Sequence, residues 1–229
     1  MLGGCGSLAG MDIDTAAWNL PDTDICSAAM RLVIGVSPAY LANHCVRSYL
    51  FARELAAAQG IDYDEELVFL ACVLHDLGLT GHGDGNQRFE VDGADAAARF
   101  LQEHGLAEHR RIPVWQAIAL HTSVGLAHRF GPVQAVAFGG ISLDINGFGS
   151  DVLPTGFADR VHAAWPRHDL GFAIAAEIAR GTLADPDKAP PFSFPAHIHQ
   201  IVNGPSVTFP QMVRAAPWGD RPTALEQRC

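Results

Sequence analysis

The sequence predicts an all-α protein. Apolar residues recur at helical spacing in several segments, residues that cap helices bound those segments, and no segment shows the strict alternation of a strand. Of the 229 residues, 48% are hydrophobic and 17% are charged. This is the composition of a folded globular protein, and it excludes a disordered one.

Seven helices are expected in chain order. The first begins at Ser37, with Pro38 at its first position, and runs to Gln59 before Gly60. The second begins at Asp64 and ends around Gly78. The other five begin or end at prolines, aspartates or glycines and are expected at 92–104, 113–121, 132–144, 156–164 and 169–180. Glycine and asparagine favour an irregular loop over 80–90.

Three regions follow from this pattern. Residues 1–30 show weak periodicity and are interpreted as an N-terminal arm with no more than one short helix. Residues 31–181 hold the predicted helices and form the main domain. Proline occurs eight times within 182–229, which forbids long helices. That region is expected to be an extended C-terminal extension that packs on or near the domain.

Charge and cysteine content exclude several classes of protein. The net charge of -10 repels phosphate backbones, so nucleic acid is not an expected partner. The five cysteines form no CxxC pair, which argues against a disulfide framework or a thiolate zinc site and suits a reducing cytoplasm. No apolar run is long enough for a membrane span. A small-molecule substrate is expected, with homo-oligomerisation left open.

Four residues form a candidate metal-binding set. They are His44 in NHCVRSYL, His75 and Asp76 in CVLHDLGLT, and Asp144 in SLDING. Imidazole nitrogens and carboxylate oxygens together suit zinc, iron or manganese. A mixed set of this kind also leaves a coordination position for water, which distinguishes catalytic from structural metal sites.

The adjacent His75–Asp76 pair constrains the local geometry. Neighbours in a regular helix point about 100° apart, so both can approach one metal only where the helix ends, before Gly78. A carboxylate placed directly after Leu74 also requires a compensating positive charge when it is buried. A bound cation supplies that charge.

The order H…HD…D resembles the signature of the HD-domain superfamily of metal-dependent hydrolases. Further segments, HDLGLT, RFEVDGADAAARFL, AIALHTSVG, SLDINGFG and VHAAWPRHDL, resemble in order those of cyanamide hydratase-like HD proteins, and the resemblance covers about residues 37–195. It implies an HD helical bundle over residues 31–181 that binds one divalent metal, with zinc expected before iron or manganese. The implied ligands are His44, His75, Asp76 and Asp144.

The resemblance also implies roles outside the ligand set. Asp76 and His121 are expected to take part in catalysis, with His121 positioning substrate, acting as a base or joining a second metal. His121 could also simply cap the end of its helix. The residues expected to close a small substrate pocket are Thr80, Asn86, Phe89 and Glu90.

Two departures bear on the substrate. Many HD phosphohydrolases carry a lysine soon after the HD pair, as in HDIGK, where this chain has Leu79 and Thr80. The usual cyanamide-group segment has a form like FDNVG, whereas this one reads LDINGFG. The first departure disfavours phosphate esters, and the second leaves the pocket wall beyond Asp144 open.

Four functions are weighed on this basis. The leading hypothesis is hydration or hydrolysis of a small uncharged molecule at a nitrile-type carbon, as in cyanamide. A phosphohydrolase predicts basic side chains around the pocket, such as Arg47, Arg53 or Arg88. A di-iron oxygenase needs further histidines beside His121, such as His82 or His104. The last alternative is a binding or regulatory protein with a vestigial site.

Overall fold

The computed structural model describes residues 16–219, and within them it contains helices and no strand. These residues form ten α-helices joined by short connections and single 3-10 turns. In chain order the helices are α1 Asp24–Val36, α2 Ala39–Gln59, α3 Glu65–Leu74, α4 Phe89–Glu103, α5 Glu108–Leu120, α6 Pro132–Asn146, α7 Phe157–Ala164, α8 Leu170–Ala184, α9 Phe194–Val202 and α10 Phe209–Ala215. The predicted all-α class is confirmed.

The N-terminal region contains more helix than the sequence predicted. Helix α1 runs through the expected boundary between residues 30 and 31, and the Thr23 hydroxyl accepts the backbone N–H of Cys26 at its start. Ser37 ends α1 instead of beginning α2, because its N–H bonds to the Val33 carbonyl. Gly60 ends α2 as predicted, in the left-handed conformation that suits glycine. Residues 1–15 of the predicted arm lie outside the described part of the chain.

Three other boundaries differ from the prediction. Helix α4 begins at Phe89, three residues before the expected Asp92. Helix α5 begins at Glu108, whose carboxylate suits a helix N-terminus, so Pro113 lies within it. Helix α8 passes through Gly181 and ends at Ala184.

Between residues 182 and 219 the proline-rich region forms short helices instead of an extended segment, and residues 220–229 lie outside the described part of the chain. Helices α9 and α10 each carry a proline in their first turn, where no backbone N–H is needed. The Ser193 hydroxyl accepts the N–H of Ala196 and begins α9, which packs along α8. Proline therefore sets where these helices begin, and it limits them to nine and seven residues.

Helix α2 is the centre of the fold. It packs against α3, α6 and α8, and α3 is buried at every position from Leu67 to Leu74. Cys26, Cys45 and Cys72 are buried free thiols in this core. Along residues 16–219, none of the helices combines the length and apolar character needed to cross a bilayer.

Helices α2 and α6 approach each other closely at Gly140. A Cβ atom at this position would overlap the Ser48 carbonyl oxygen and the Ala52 methyl group, and would lie 2.6 Å from the Ala52 nitrogen. Backbone atoms of α2 form most of that surface, so no flexible side chain can move aside. The absence of a side chain at Gly140 therefore sets the separation of the two helices.

We expect Gly140→Ala to lower the free energy of unfolding by about 1–3 kcal/mol, the usual cost of overpacking a core. Gly139→Ala is the matched control, because its Cβ would meet only the Leu55 Cδ1 atom at an ordinary 3.5 Å. Within a helix that control should be neutral or stabilising by up to ~1 kcal/mol. Urea denaturation measures both, and equal stabilities of the two variants would contradict this account of the packing.

Candidate metal centre

The end of α3 brings the HD pair together. His75 keeps helical backbone angles, whereas Asp76 has φ −101° and ψ 16° and leads into the 3-10 turn Leu77–Leu79. This change directs both side chains to one point, where His75 Nε2 lies 3.1 Å from Asp76 Oδ2. The pair converges as the sequence predicted, because α3 ends at Leu74 and the backbone leaves the helical conformation at Asp76.

Two glycines allow α4 to pack against this turn. A Cβ on Gly78 would overlap the Phe89 carbonyl oxygen and lie 2.8 Å from the Gly93 nitrogen. A Cβ on Gly93 would lie 3.1 Å from the His75 carbonyl oxygen. The turn and α4 therefore meet backbone to backbone, and this contact fixes the position of the HD pair.

Helix α2 contributes the third member of the cluster. His44 Nε2 lies 3.1 Å from His75 Nε2 and 3.8 Å from Asp76 Oδ2. Each of these residues offers one ligand atom, the three atoms lie within 4.8 Å of one another, and all three residues are buried. Ligand atoms around a tetrahedral zinc, with bonds of about 2.0–2.2 Å, lie roughly 3.2–3.6 Å apart. The cluster therefore has the dimensions of a metal site.

The hydrogen-bond partners indicate that the two imidazoles direct lone pairs at each other. His75 Nδ1 donates to the Cys72 carbonyl at 2.8 Å, and His44 Nδ1 donates to Asp144 Oδ2 at 2.6 Å. Both acceptors lack a hydrogen to give, so in the neutral rings the Nε2 atoms are bare. Two bare nitrogens 3.1 Å apart repel unless a cation lies between them. The donor set therefore fits a divalent metal.

The pKa shifts of Asp76 and His75 indicate that the cluster favours a positive charge between its members. Burial alone would raise the pKa of Asp76, but His75 and then His44 hold it well below its usual range. Burial opposes the charged form of His75, yet the neighbouring Asp76 raises its pKa well above the ordinary value. Without metal, a proton stabilises the cluster. Metal binding and protonation should therefore compete here.

The structure departs from the predicted ligand set at Asp144. Its carboxylate accepts from Arg47 through both oxygens at 2.8 Å, from Arg167 at 3.0 Å, and from His44 Nδ1. Burial would raise the pKa of Asp144, but the nearby His162, with Nε2 3.9 Å from Oδ1, and hydrogen bonds from His44 and Arg47 keep that pKa well below its usual range. Asp144 therefore lies behind His44, on the side away from His75 and outside the group of three, and its role as a ligand stays a prediction.

His121 lies beside Oδ1 of Asp76, whereas His44 and His75 lie beside Oδ2. Its Nε2 is 3.7 Å from Asp76 Oδ1, and its Nδ1 donates to the Ile118 carbonyl at 2.6 Å. Burial and the nearby His75 lower the pKa of His121 to about 4. The ring is therefore neutral at pH 7, with a bare Nε2 beside the cluster. Phe89 packs edge-on against this ring with centroids 5.5 Å apart.

The structure places the other predicted pocket residues elsewhere. Thr80 donates to the Leu77 carbonyl and lines a neighbouring cavity beneath the turn. Asn86 is exposed on the loop before α4. Glu90 is fully buried, where it pairs with Arg88 and accepts from the Thr122 hydroxyl. Through that contact Glu90 holds the residue that follows His121.

A cavity of about 230 Å³ opens on the cluster. Its polar end contains His44, His75, Asp76 and His121. The rest of its wall is mainly apolar and comes from four helices and one loop: Phe89, Val124, Phe138, Ile141, Ile145, Gly171, Ile174, Ala175, Ile178, Phe194 and Ile198, with Thr122, Ser142 and Asn146 among them. Within the described residues, this lining includes no lysine or arginine.

Sequence reasoning missed most of this apolar wall. The contributing residues recur at helical spacing, at 138, 141 and 145 on α6, at 174 and 178 on α8, and at 194 and 198 on α9. That periodicity was the available signal. For α9 the density of prolines in residues 182–229 outweighs this periodicity and predicts an extended segment instead.

Comparison with known families supports the HD assignment. The family model described as HD domain matches residues 41–138, which include His44, His75, Asp76 and His121. A comparison with curated proteins gave no match. The match and the cluster together support membership of the HD superfamily, whose members are usually metal-dependent hydrolases. Asp144, α8 and α9 lie outside the matched residues.

We expect Asp144→Asn to lower the unfolding free energy of the metal-free protein by about 3–5 kcal/mol, because it leaves Arg47 buried without its charge partner. Loss of the carboxylate behind His44 should weaken zinc binding about 10–100-fold. Chemical denaturation and chelator competition measure the two effects. Asp151→Asn, at an exposed position, is the control.

The stability effect should depend on pH. Since the pKa of Asp144 is depressed in the folded state, its contribution is fully present above the unfolded carboxyl pKa of about 3.9 and is lost as the pH falls further. The difference between wild type and variant should therefore shrink on acidification. An unchanged metal-free stability at pH 7 would contradict the role assigned to Asp144.

Proposed function

We propose that this protein is a metal-dependent hydratase or hydrolase of a small uncharged molecule, acting at a nitrile-type carbon as cyanamide hydratase-like proteins do. One observation carries the proposal: the cavity opens directly on His44, His75 and Asp76 with no lysine or arginine in its described lining. A neutral substrate can enter such a cavity without leaving a charge unpaired. Zinc is the proposed metal, with iron and manganese as alternatives.

The arginines that a phosphohydrolase would need are engaged elsewhere. Arg47 is fully buried and bound to Asp144, Arg53 donates to the Trp18 carbonyl, and Arg88 pairs with Glu90. None of the three lines the cavity. A phosphate group bound there would meet mostly apolar side chains, so this alternative has less support.

The di-iron alternative lacks the histidines it requires. His82 and His104 are exposed and do not line the cavity. The His104 ring donates to the Phe100 carbonyl at the end of α4. Among residues 16–219, the group suited to a metal is limited to His44, His75 and Asp76. One metal ion per chain is therefore proposed.

The chain's own residues supply orientation and proton transfer. When bound, a divalent metal supplies a Lewis acid that lowers the pKa of water towards neutrality. Asp76 would hold the metal together with His44 and His75, and it could also accept a hydrogen bond from the attacking water and orient it towards the substrate carbon. The neutral His121 Nε2 lies within reach of the same carboxylate and can take one proton and pass it to the substrate nitrogen.

The overall reaction is balanced by one water molecule. Addition of water forms a carbon–oxygen bond at the nitrile-type carbon and breaks one bond of the carbon–nitrogen triple bond, which gives an isourea or imidic acid. Transfer of its hydroxyl proton to the nitrogen converts the remaining carbon–nitrogen double bond into a single bond and leaves a carbonyl, so both water hydrogens end on nitrogen. Cyanamide gives urea in this way, and no oxidant or reductant is consumed. The apolar surroundings strengthen each electrostatic interaction along the path.

The first test combines metal analysis with an assay for urea formation from cyanamide. We expect about one zinc or iron per wild-type chain, and we expect Asp76→Ala to lose both metal and turnover, because the only carboxylate of the cluster is removed. Asp151→Ala, at an exposed position, should retain both.

Other outcomes separate the alternatives. A fully active, metal-free Asp76→Ala protein would end the hypothesis. A metal-loaded protein that releases phosphate from nucleoside monophosphates with cobalt or manganese, and forms no urea, would favour the phosphohydrolase. Two irons per chain would favour the di-iron oxygenase. A protein that takes up no metal would favour a vestigial site.

A further inference from the structure

We infer that the physiological substrate carries an apolar group, alkyl or aryl, which lies against the wall formed by α6, α8 and α9 while its reactive carbon faces the metal cluster. The inference rests on the proposed function for the reactive end of the molecule. Its basis is the division of one cavity into a compact polar end and a larger apolar side. Cyanamide itself would contact only the polar end.

The apolar side is a continuous surface built from one face of each helix. Phe138, Ile141 and Ile145 follow one another at helical spacing along α6. Ile174 and Ile178 do so along α8, as do Phe194 and Ile198 along α9. Side chains from three helices that converge on one space form a binding wall, because each helix turns its apolar face towards the same cavity.

The size of the cavity exceeds what a minimal substrate requires. A water molecule takes about 30 Å³ of the liquid, and cyanamide, with three heavy atoms, takes roughly twice that volume. A cavity of about 230 Å³ would therefore hold cyanamide together with several waters against isoleucine and phenylalanine side chains. Replacing those waters with hydrocarbon is favourable, since each buried methylene is worth about 0.8 kcal/mol of transfer free energy, or roughly fourfold in affinity.

The lining of the cavity also indicates that the apolar group of the substrate carries no charge. Within the described residues the cavity offers no lysine, arginine or glutamate to pair with an ionised group. The charged side chains near the turn, such as Lys188, Arg180 and Asp84, line a separate cavity beneath it. An apolar substituent without charge is the chemistry that this wall recognises.

The test compares cyanamide with its N-propyl, N-butyl and N-phenyl derivatives on the zinc-loaded protein. We expect kcat/KM to rise with the apolar group, by about tenfold or more between cyanamide and the butyl compound, which is the scale of discrimination that methylene groups provide. In parallel, calorimetry measures the binding of urea and N-butylurea, which requires no turnover. We expect the butyl compound to bind more tightly by a similar factor.

A pair of matched variants locates the wall. Ala175 on α8 lines the cavity, whereas the neighbouring Ala176 is exposed. Ala175→Leu fills part of the apolar side, so the ratio of kcat/KM for butylcyanamide to that for cyanamide should fall about tenfold or more. Ala176→Leu adds the same side chain about 100° further round α8, at an exposed position outside the cavity, and should leave the ratio and the binding of N-butylurea unchanged.

The outcomes distinguish this inference from the proposed function. Hydration of cyanamide with no gain from the alkyl groups in either rate or binding would overturn the inference and leave the hydratase assignment standing. Tight N-butylurea binding that Ala175→Leu weakens, without hydration of any cyanamide, would support the wall and overturn the hydratase. Equal effects of Ala175→Leu and Ala176→Leu would also overturn the inference.

Discussion

The buried ion pair between Arg47 and Asp144 is the interaction on which the site depends. Arg47 is fully buried and donates to both carboxylate oxygens at 2.8 Å, which joins α2 to α6. The same guanidinium donates to the carbonyls of Trp165 and Pro166, in the connection that leads into α8. Asp144 also accepts a hydrogen bond from His44 Nδ1. The ion pair therefore orients the His44 ring, holds α2 against α6 and positions the connection that leads into α8.

This arrangement also sets the charge of the metal centre. Two arginines, Arg47 and Arg167, offset the negative charge of Asp144. A divalent cation beside His44 and His75 would therefore be balanced by the single carboxylate of Asp76. The remaining positive charge would favour the ionised form of a nearby water. A carboxylate that accepts a hydrogen bond from the Nδ1 atom of a histidine orients that ring. Because its charge is already paired with arginines, it would not reduce the Lewis acidity of a metal bound at Nε2.

The sequence predicted the part of the site that depends on local structure. His75 and Asp76 converge because a helix must end between them and Gly78, and that is visible in the order of residues. The sequence does not show which face of α6 turns towards the cavity. Successive residues of a helix point about 100° apart, and packing against α2 turns Ile141 and Ile145 to the cavity while it turns Asp144 to Arg47.

The prediction of an extended proline-rich segment was wrong for a physical reason. Proline forbids the interior of a long helix but suits the first turn of a short one, and Pro195 lies in the first turn of α9. Only tertiary contact with α8 decides between a short helix and an extended segment, because an isolated helix of nine residues is unstable in water. Phe194 and Ile198 reach the cavity through that contact.

The polar and apolar parts of the cavity come from different stretches of the chain. The residues that match the HD domain supply His44, His75, Asp76 and His121, whereas α8, α9 and the last turns of α6 supply most of the apolar wall. A family match of this kind therefore informs the type of reaction more than the substrate. Binding energy from an apolar group on the wall can hold a reactive carbon in place over the cluster. In such a site the region outside the family match determines which molecule reacts.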